Sequence, residues 1–490
     1  MNEKPVRNIV ILGGGTAGWM TAAALSKVLA DSGIGIALVE SDAIGTIGVG
    51  EATIPTIHWF NNLLGLDEAA FMAATKATYK LGIEFHGWQG DGHTYFHPFG
   101  TYGAPGDGVM FPHRLIRAWL GGLDASPEPY SLNTQLARER RFTRPVGDPR
   151  SLLSTIGYAY HFDAGLYAAY LREQAERRGV RRFEGKVTDV EQDGESGFIR
   201  SVTTDKGDML AGDLFVDCSG MRGLLIEDKL KAGYEAWPDW LPCDAAWAAP
   251  TAADPAAPPH TSAFTHVAGW RWRIPLQHRV GNGYVFSSRF QDPDAARETL
   301  LGAIGEPTAE PRLIRFTPGR RKRAWIGNVV AIGLSSGFIE PLESTSIHLI
   351  QTGIGKLLSL FPRAGCNPLL AEQYDRIFQR EMEDVRDFLV LHYHFTHGRN
   401  EPLWRHCQAT PLPDALRYKI DQYRTSGRIM LTPEDLFRDA SWFAVMTGQG
   451  VRATDYNPML DTMSDAANLQ HLEKVRSAIA QSTAQIPKLP

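Results

Sequence analysis

The first apolar run, Asn8-Ile9-Val10-Ile11-Leu12, is continuous rather than alternating, the pattern of a strand buried on both faces. It runs into Gly13-Gly14-Gly15-Thr16-Ala17-Gly18 and then a small, apolar helix from Trp19 to Leu29. Ile34-Gly35-Ile36-Ala37-Leu38-Val39 repeats the strand pattern and ends at Glu40. Leu63, Leu64, Leu66, Ala70, Phe71 and Ala74 predict a helix over 62–82, and Leu166, Ala168 and Tyr170 predict another. Between these lies a Pro- and Gly-rich stretch, 104–160, to which no element is assigned. Two further apolar runs read as strands: Asp213-Leu214-Phe215-Val216-Asp217 and Asn328-Val329-Val330-Ala331-Ile332.

One run alternates instead. Trp270-Arg271-Trp272-Arg273-Ile274-Pro275 has period two, which predicts a short strand with both indoles on one face and both guanidinium groups on the other. An ordinary half-buried strand closing in a Pro turn gives the same pattern. Gly283-Tyr284-Val285-Phe286-Ser287-Ser288 predicts a second strand of the same antiparallel sheet. Ala245 to Pro259, rich in Ala and Pro, predicts an exposed loop. From about residue 346 onwards the pattern is mainly helical, as over Ile347–Leu360 and Leu370–Leu391. The expectation is an α/β protein, with a core over 1–350 and a mainly helical, substrate-covering subdomain over 351–490.

Composition narrows the function classes. Hydrophobic residues make up 43% and charged residues 21% of the 490, enough for a sizeable core. The net charge of −5 comes without any Lys/Arg block, so neither nucleic acid nor an anionic membrane is an expected partner. No run of 18 uninterrupted apolar residues occurs. The N-terminal segment has no secretion pattern, and Cys218, Cys243, Cys366 and Cys407 form no CxxC pair. A cytoplasmic setting without disulfides, zinc or any other metal site is therefore expected.

The candidate chemistry begins at the glycine-rich turn. GxGxxG between strand and helix is the context in which the motif binds a dinucleotide. Gly13 makes the tight turn, Gly15 lets backbone approach the pyrophosphate, and Gly18 lets helix pack on strand, while the helix N-terminus, with Thr16 and Ala17, faces the phosphate charge. Glu40, about 20 residues on, suits a ribose hydroxyl pair. This turn alone supports NAD and FAD equally. Two later strands also return to glycine-containing turns, Asp217-Cys218-Ser219-Gly220 and Gly333-Leu334-Ser335-Ser336-Gly337. Such returns resemble FAD monooxygenases of the p-hydroxybenzoate hydroxylase type, whose elongated cofactor is threaded through the domain.

Several segments together resemble the flavin-dependent halogenases of the tryptophan halogenase family. They are GxGxxG, Gly48-Val49-Gly50-Glu51-Ala52-Thr53-Ile54-Pro55, Tyr79-Lys80-Leu81-Gly82-Ile83-Glu84-Phe85, Phe96-His97-Pro98-Phe99-Gly100, the Trp-x-Trp-x-Ile-Pro run, and Glu340-Pro341-Leu342-Glu343-Ser344-Thr345-Ser346. The resemblance spans nearly the whole chain. It implies an FAD-binding Rossmann-like core with Gly48, Gly50, Ala52 and Leu334 at the cofactor, and an antiparallel substrate-side sheet. It implies Lys80 as the essential lysine, with Lys76 the competing position, and Glu343 as the second catalytic group. It further implies a halide nest at the backbone N–H groups of Thr345 and Ser346, where the family has Thr-Gly; an N-cap role suits the same residues. His97, Phe99 and Trp442 line an indole pocket on this reading, although each is also an ordinary packing residue. Trp270, Trp272, Ile274 and Pro275 separate flavin from substrate.

The implied reaction is FADH2- and O2-dependent halogenation of an electron-rich aromatic. A separate flavin reductase supplies FADH2, a flavin hydroperoxide oxidises chloride or bromide to hypohalous acid, and the acid is relayed to Lys80. There it is oriented by hydrogen bonding or converted to a haloamine, and Glu343 takes the proton from the arene. Gly427-Arg428-Ile429-Met430-Leu431-Thr432 lacks the Tyr-Tyr pair with which free-tryptophan enzymes hold their substrate. That departure favours a simple indole, or a larger indole- or phenol-bearing molecule, over free tryptophan. An FAD-dependent aromatic hydroxylase and a non-catalytic flavoprotein are the other readings.

Overall fold

The computed structural model describes residues 5–43, 51–104, 110–363 and 365–489. The chain folds into two compact units, each assembled from three separated segments. The first comprises Met1–Ala77, Phe162–Trp237 and Phe316–Glu383; the second comprises Thr78–His161, Pro238–Arg315 and Asp384–Pro490. The expected division at 350/351 falls inside the last segment of the first unit, within the helix Ser346–Ser359.

The first unit is built on a six-stranded sheet in the order Trp325–Ile326, Val329–Ala331, Leu214–Asp217, Asn8–Leu12, Gly35–Glu40, Arg181–Glu184. All neighbours are parallel except the short pair at the Trp325–Ile326 edge. The continuous apolar runs of Ile9–Leu12 and Leu214–Val216 are those of strands covered on both faces. The helices Thr16–Val28 and Ala164–Arg177 pack on one another, and Val10, Leu12, Val39, Phe215 and Val329 meet Leu225 and Ile226 in a single buried cluster. The two strands predicted to return to glycine turns are neighbours in the sheet, in register from Phe215↔Val329 to Asp217↔Ala331.

The second unit carries a seven-stranded sheet in the order Arg312–Arg315, Ala245–Ala252, Arg279–Phe286, Gly269–Pro275, Thr261–His266, Gly82–His86, Thr94–Pro98. It is antiparallel apart from one pair, Thr261–His266 with Gly82–His86. The tryptophan run is its middle strand. The helices Pro402–Ala409, Asp414–Ser426, Asp439–Gly448 and Asp465–Gln485 account for the helical pattern of the C-terminal third.

Two element expectations are corrected. Residues 62–82 are not one helix: Ile57–Leu64 and Glu68–Thr75 are helical, and Thr78–Lys80 and Gly82–His86 are strands. The change occurs at Lys76, which stops the helix in a left-handed conformation with φ of 55°. Likewise, Ala245–Ala252 is a strand, and only the residues after it form a loop. Its small side chains lie against Tyr284 and Phe286 in a buried cluster. Pro250 sits beyond the Ala245–Ala248 stretch that pairs with Arg312–Arg315, so its missing N–H interrupts no ladder on that side. No helix among the described residues is long and apolar enough to cross a membrane.

Candidate active site

In the first unit the glycine turn has the shape its spacing predicts. Gly13 has φ of +104°, and a Cβ there would stand 2.2 Å from the Cys218 carbonyl oxygen. A Cβ on Gly18 would stand 1.8 Å from the Gly13 carbonyl oxygen, so both positions require glycine. Gly15 caps the helix Thr16–Val28, whose first turn presents backbone N–H groups without intrahelical acceptors. A phosphate-bearing dinucleotide fits this cradle of bare backbone. Glu40 ends the next strand, where Arg182 and Trp19 hold its carboxylate, the Trp19 Nε1–H donating at 3.3 Å. Arg172 lies 3.6 Å from it.

Gly333, at φ of +78°, brings the turn containing Leu334 against the same helix start; a Cβ there would meet the Ala17 Cβ at 2.7 Å. The buried Asp217 carboxylate accepts from Ser219 N at 3.0 Å and from Leu225 N and Ile226 N, both at 2.8 Å. It thereby fixes the turn that follows its strand. Ala52 is buried in the short strand Glu51–Ala52, while Gly48 and Gly50 lie outside the described residues.

The Glu-Ser-Thr segment folds as a tight turn, Pro341–Glu343, followed by the helix Ser346–Ser359. Glu343 and Thr345 are both fully buried. Ser344 takes the left-handed conformation, φ 60°, that a non-glycine residue rarely adopts, so the strain lies one residue after Glu343. Ser346 instead begins the helix, a conformation open to serine and glycine alike. Thr345 stands at the N-cap position, but its hydroxyl makes no capping bond and is buried without a partner among the described residues. Three residues on, His348 Nδ1 lies 2.9 Å from Thr56 Oγ1, and burial, with the Lys356 charge, pushes the imidazole down to about 4 against the pull of Glu381.

In the second unit Lys80 ends the strand Thr78–Lys80 and is fully buried, whereas Lys76 is exposed at its helix end in the first unit. Lys80 pairs in register with Ala159, and its Nζ lies 4.9 Å from the centre of the Phe99 ring. The next residue is held on both sides: Leu81 N donates to Pro259 O at 2.7 Å, and Leu81 O accepts from Phe99 N and Asn133 Nδ2, both at 3.0 Å. Close by, His161 lies 3.1 Å from Thr78 Oγ1 and 3.0 Å from Thr261 Oγ1. Burial and then the Lys80 charge hold its pKa well below the ordinary value, so it remains a neutral neighbour.

Lys80, His97, Phe99 and Trp442 belong to one run of ring contacts. The His97 ring centre is 6.3 Å from Phe99 and 5.7 Å from Phe388; Phe388 stacks on Phe437 at 3.8 Å and meets Trp442 edge-on at 4.8 Å. Phe388 and Phe437 were absent from the sequence-based set. The sole signal for Phe388 is its place in the aromatic-rich end of the helix Pro368–His394. Lys419 Nζ lies 4.3 Å over Trp442, so a cation borders the far end of the cluster.

The tryptophan strand behaves as its alternation predicts. Trp270 and Trp272 are buried with ring centres 6.2 Å apart, and Trp272 lies flush on Gly283, where a Cβ would come within 2.0 Å of the indole. Arg271 covers Phe264 at 4.2 Å, and Arg273 pairs with Asp254. Ile274 is buried, and the Pro275 carbonyl accepts from Thr78 Oγ1 at 2.7 Å. That bond ties the end of the tryptophan strand to the strand that carries Lys80.

Residues 8–465 match the family model for tryptophan halogenases. The tryptophan 6-halogenase of Streptomyces toxytricini is 36% identical, the alignment covering 97% of this chain and 95% of that protein. Among solved structures, a flavin-dependent halogenase from Xanthomonas campestris superimposes with a TM-score of 0.95 at 45% identity, covering 99% of this chain and 97% of its own. A second, from a Brevundimonas species, gives 0.94 at 44%, covering 99% and 98%.

Proposed function

The chain belongs to the tryptophan halogenase family and is a flavin-dependent halogenase, and on that premise we propose that it halogenates an indole other than free tryptophan through Lys80 and Glu343. The observation that carries the reading is the setting of Lys80, fully buried under Phe99 at the end of a strand hydrogen-bonded to Pro275 of the tryptophan run. Burying an ammonium costs free energy, so a lysine kept at that position points to a role in the reaction.

FADH2 from a separate reductase would be held at the Gly13–Gly18 turn and the start of the helix Thr16–Val28, and with O2 it would supply the two-electron oxidation that turns chloride or bromide into hypohalous acid. The first turn of Ser346–Ser359 supplies backbone N–H groups for the halide, with Thr345 and Ser346 leading. Lys80 takes the hypohalous acid by hydrogen bonding, or as a haloamine, and presents the halogen to the arene. On the hydrogen-bonded route the O–X bond breaks as the C–X bond forms, and the departing hydroxide takes a proton from the Lys80 ammonium to leave as water. On the haloamine route water leaves when the N–X bond forms, and the N–X bond breaks as the C–X bond forms, the Lys80 amine being protonated. Either way the arene becomes a cation at the substituted carbon. Glu343 stabilises that cation and accepts its proton, which restores aromaticity. His97, Phe99, Phe388, Phe437 and Trp442 offer the flat, apolar surfaces that an indole ring packs against. Trp270 and Trp272 act by bulk, admitting a small neutral acid while barring direct oxygen transfer. A cytoplasmic setting goes with this reading.

The test is purified protein with a flavin reductase, indole, O2 and either chloride or bromide, read by mass spectrometry. Halogenated indole that requires the halide is expected. A hydroxylated product formed without halide would replace this reading by a hydroxylase, and no consumption of indole would leave a flavoprotein without this activity.

A further inference from the structure

The fully buried imidazole of His161 has both ring nitrogens matched, and the matching fixes its tautomer. Thr78 Oγ1 lies 2.7 Å from Pro275 O. A carbonyl can only accept, so the one hydroxyl proton of Thr78 is committed there. His161 Nδ1, 3.1 Å from the same hydroxyl oxygen, must then carry a proton and donate it. Burial, and then the Lys80 charge, keep the ring from taking a second proton, which leaves Nε2 as an acceptor. Thr261 Oγ1, at 3.0 Å, is the matching donor. Donors and acceptors therefore run in one direction, from Thr261 through His161 and Thr78 to Pro275.

This chain of bonds lies wholly in the second unit and crosses between two sets of strands. Thr78–Lys80 pairs with the strand Ala159–Phe162, outside the seven-stranded sheet. Thr261–His266 and the tryptophan strand Gly269–Pro275 are neighbours within that sheet. Register sets Thr78 opposite His161 and Lys80 opposite Ala159, so these four side chains share one face of their pair. Ala159 offers only a methyl group there. His161 is thus the large side chain diagonal to Lys80, and it grips the lysine's own strand through Thr78.

We infer that His161 is a positioning residue for the halogenation: through Thr78 it fixes Lys80 relative to the Pro275 end of the tryptophan strand, so that hypohalous acid reaches the lysine instead of escaping. The inference rests on the reading of Lys80 as the group that takes the acid. Position matters because Lys80 has to meet both the acid and the arene, and a displacement of about 1 Å at a reacting group can cost on the order of 100-fold in rate. Hydrogen bonds of this kind also stabilise a fold, so the test has to separate placement from stability.

The partition of the oxidised halogen does so. The reaction is run with flavin reductase, O2, bromide and indole, and a thioether is added to capture acid that escapes. Thr78→Val keeps the shape of the side chain and deletes the link, and His161→Phe keeps a ring without its nitrogens. Each should lower halogenated indole by about tenfold or more, while the sum of halogenated indole and oxidised thioether stays at the parent value. Thr78→Ser, which keeps the hydroxyl, should restore the parent partition. Thr78→Val decides the matter if His161→Phe fails to fold, as judged by its melting curve. A parent-like partition in the folded variants, a fall in both products together, or no rescue by Thr78→Ser would each overturn the inference. Lys80→Ala tells that failure apart from failure of the underlying reading. If it makes halogenated indole at the parent rate, the role of Lys80 itself falls; if it makes none while Thr78→Val behaves as the parent protein, only the positioning role falls.

Discussion

Lys80 Nζ lies 4.9 Å from the centre of the Phe99 ring, on a strand whose other end, Thr78, hydrogen-bonds the carbonyl of Pro275. The lysine is thus placed by backbone and ring contacts rather than by a long flexible reach. Its ammonium is held against an aromatic face and out of water. The account stands on that placement.

Glu343 is the second group to test. Glu343→Gln keeps size and hydrogen bonding but cannot take the arenium proton. Single-turnover halogenation should slow by about 100-fold or more, with flavin affinity unchanged. A near-normal rate would remove Glu343 from the mechanism.

The aromatic cluster makes a prediction about binding. Phe437, stacked on Phe388 at 3.8 Å, contributes a flat wall that an aliphatic side chain does not reproduce. Phe437→Leu should raise KM for indole by about tenfold and change kcat much less. An unchanged KM would take the pair out of the substrate site.

Gly283 gives a packing test of the tryptophan strand. A Cβ there would stand 2.0 Å from the Trp272 indole, with no room behind a strand that pairs on both sides. Gly283→Ala should lower stability by about 1–3 kcal/mol, read as a drop in Tm. A Tm equal to that of the parent protein would show that Trp272 does not lie on this residue.

His348 sets a pH response. Its folded pKa of about 4 lies below the ordinary 6.5, chiefly through burial, so the folded state binds its proton less readily than the unfolded chain. The stability it contributes is therefore complete above about pH 6.5 and lost as pH falls through 4, up to about 3 kcal/mol. His348→Gln should flatten the fall in stability between those values, measured by denaturant titration. A parallel fall in both proteins would contradict the assignment.

Much of this was legible in the chain because it depends on local pattern. The glycine turn, the strand ending at Glu40 and the period-two tryptophan run follow from residue spacing alone, and the structure has them as expected. What failed depended on distant partners. The helical spacing through Ala74 gives no sign that Thr78–Lys80 will pair with Ala159–Phe162, so Lys80 was expected on a helix. Ala245–Ala252 has the composition of a loop, and only the rings of Tyr284 and Phe286 beside it make a strand favourable. Phe388 and Phe437 are far apart in sequence and meet His97 through ring contacts that no spacing announces.

The most direct measurement replaces Lys80 by alanine and follows flavin and product separately. Lys80→Ala should bind FAD as the parent protein does and, supplied with reductase, O2, halide and indole, yield no halogenated indole. Hypohalous acid should instead escape and be captured by an added thioether. Halogenated indole formed at the parent rate by Lys80→Ala would contradict the account.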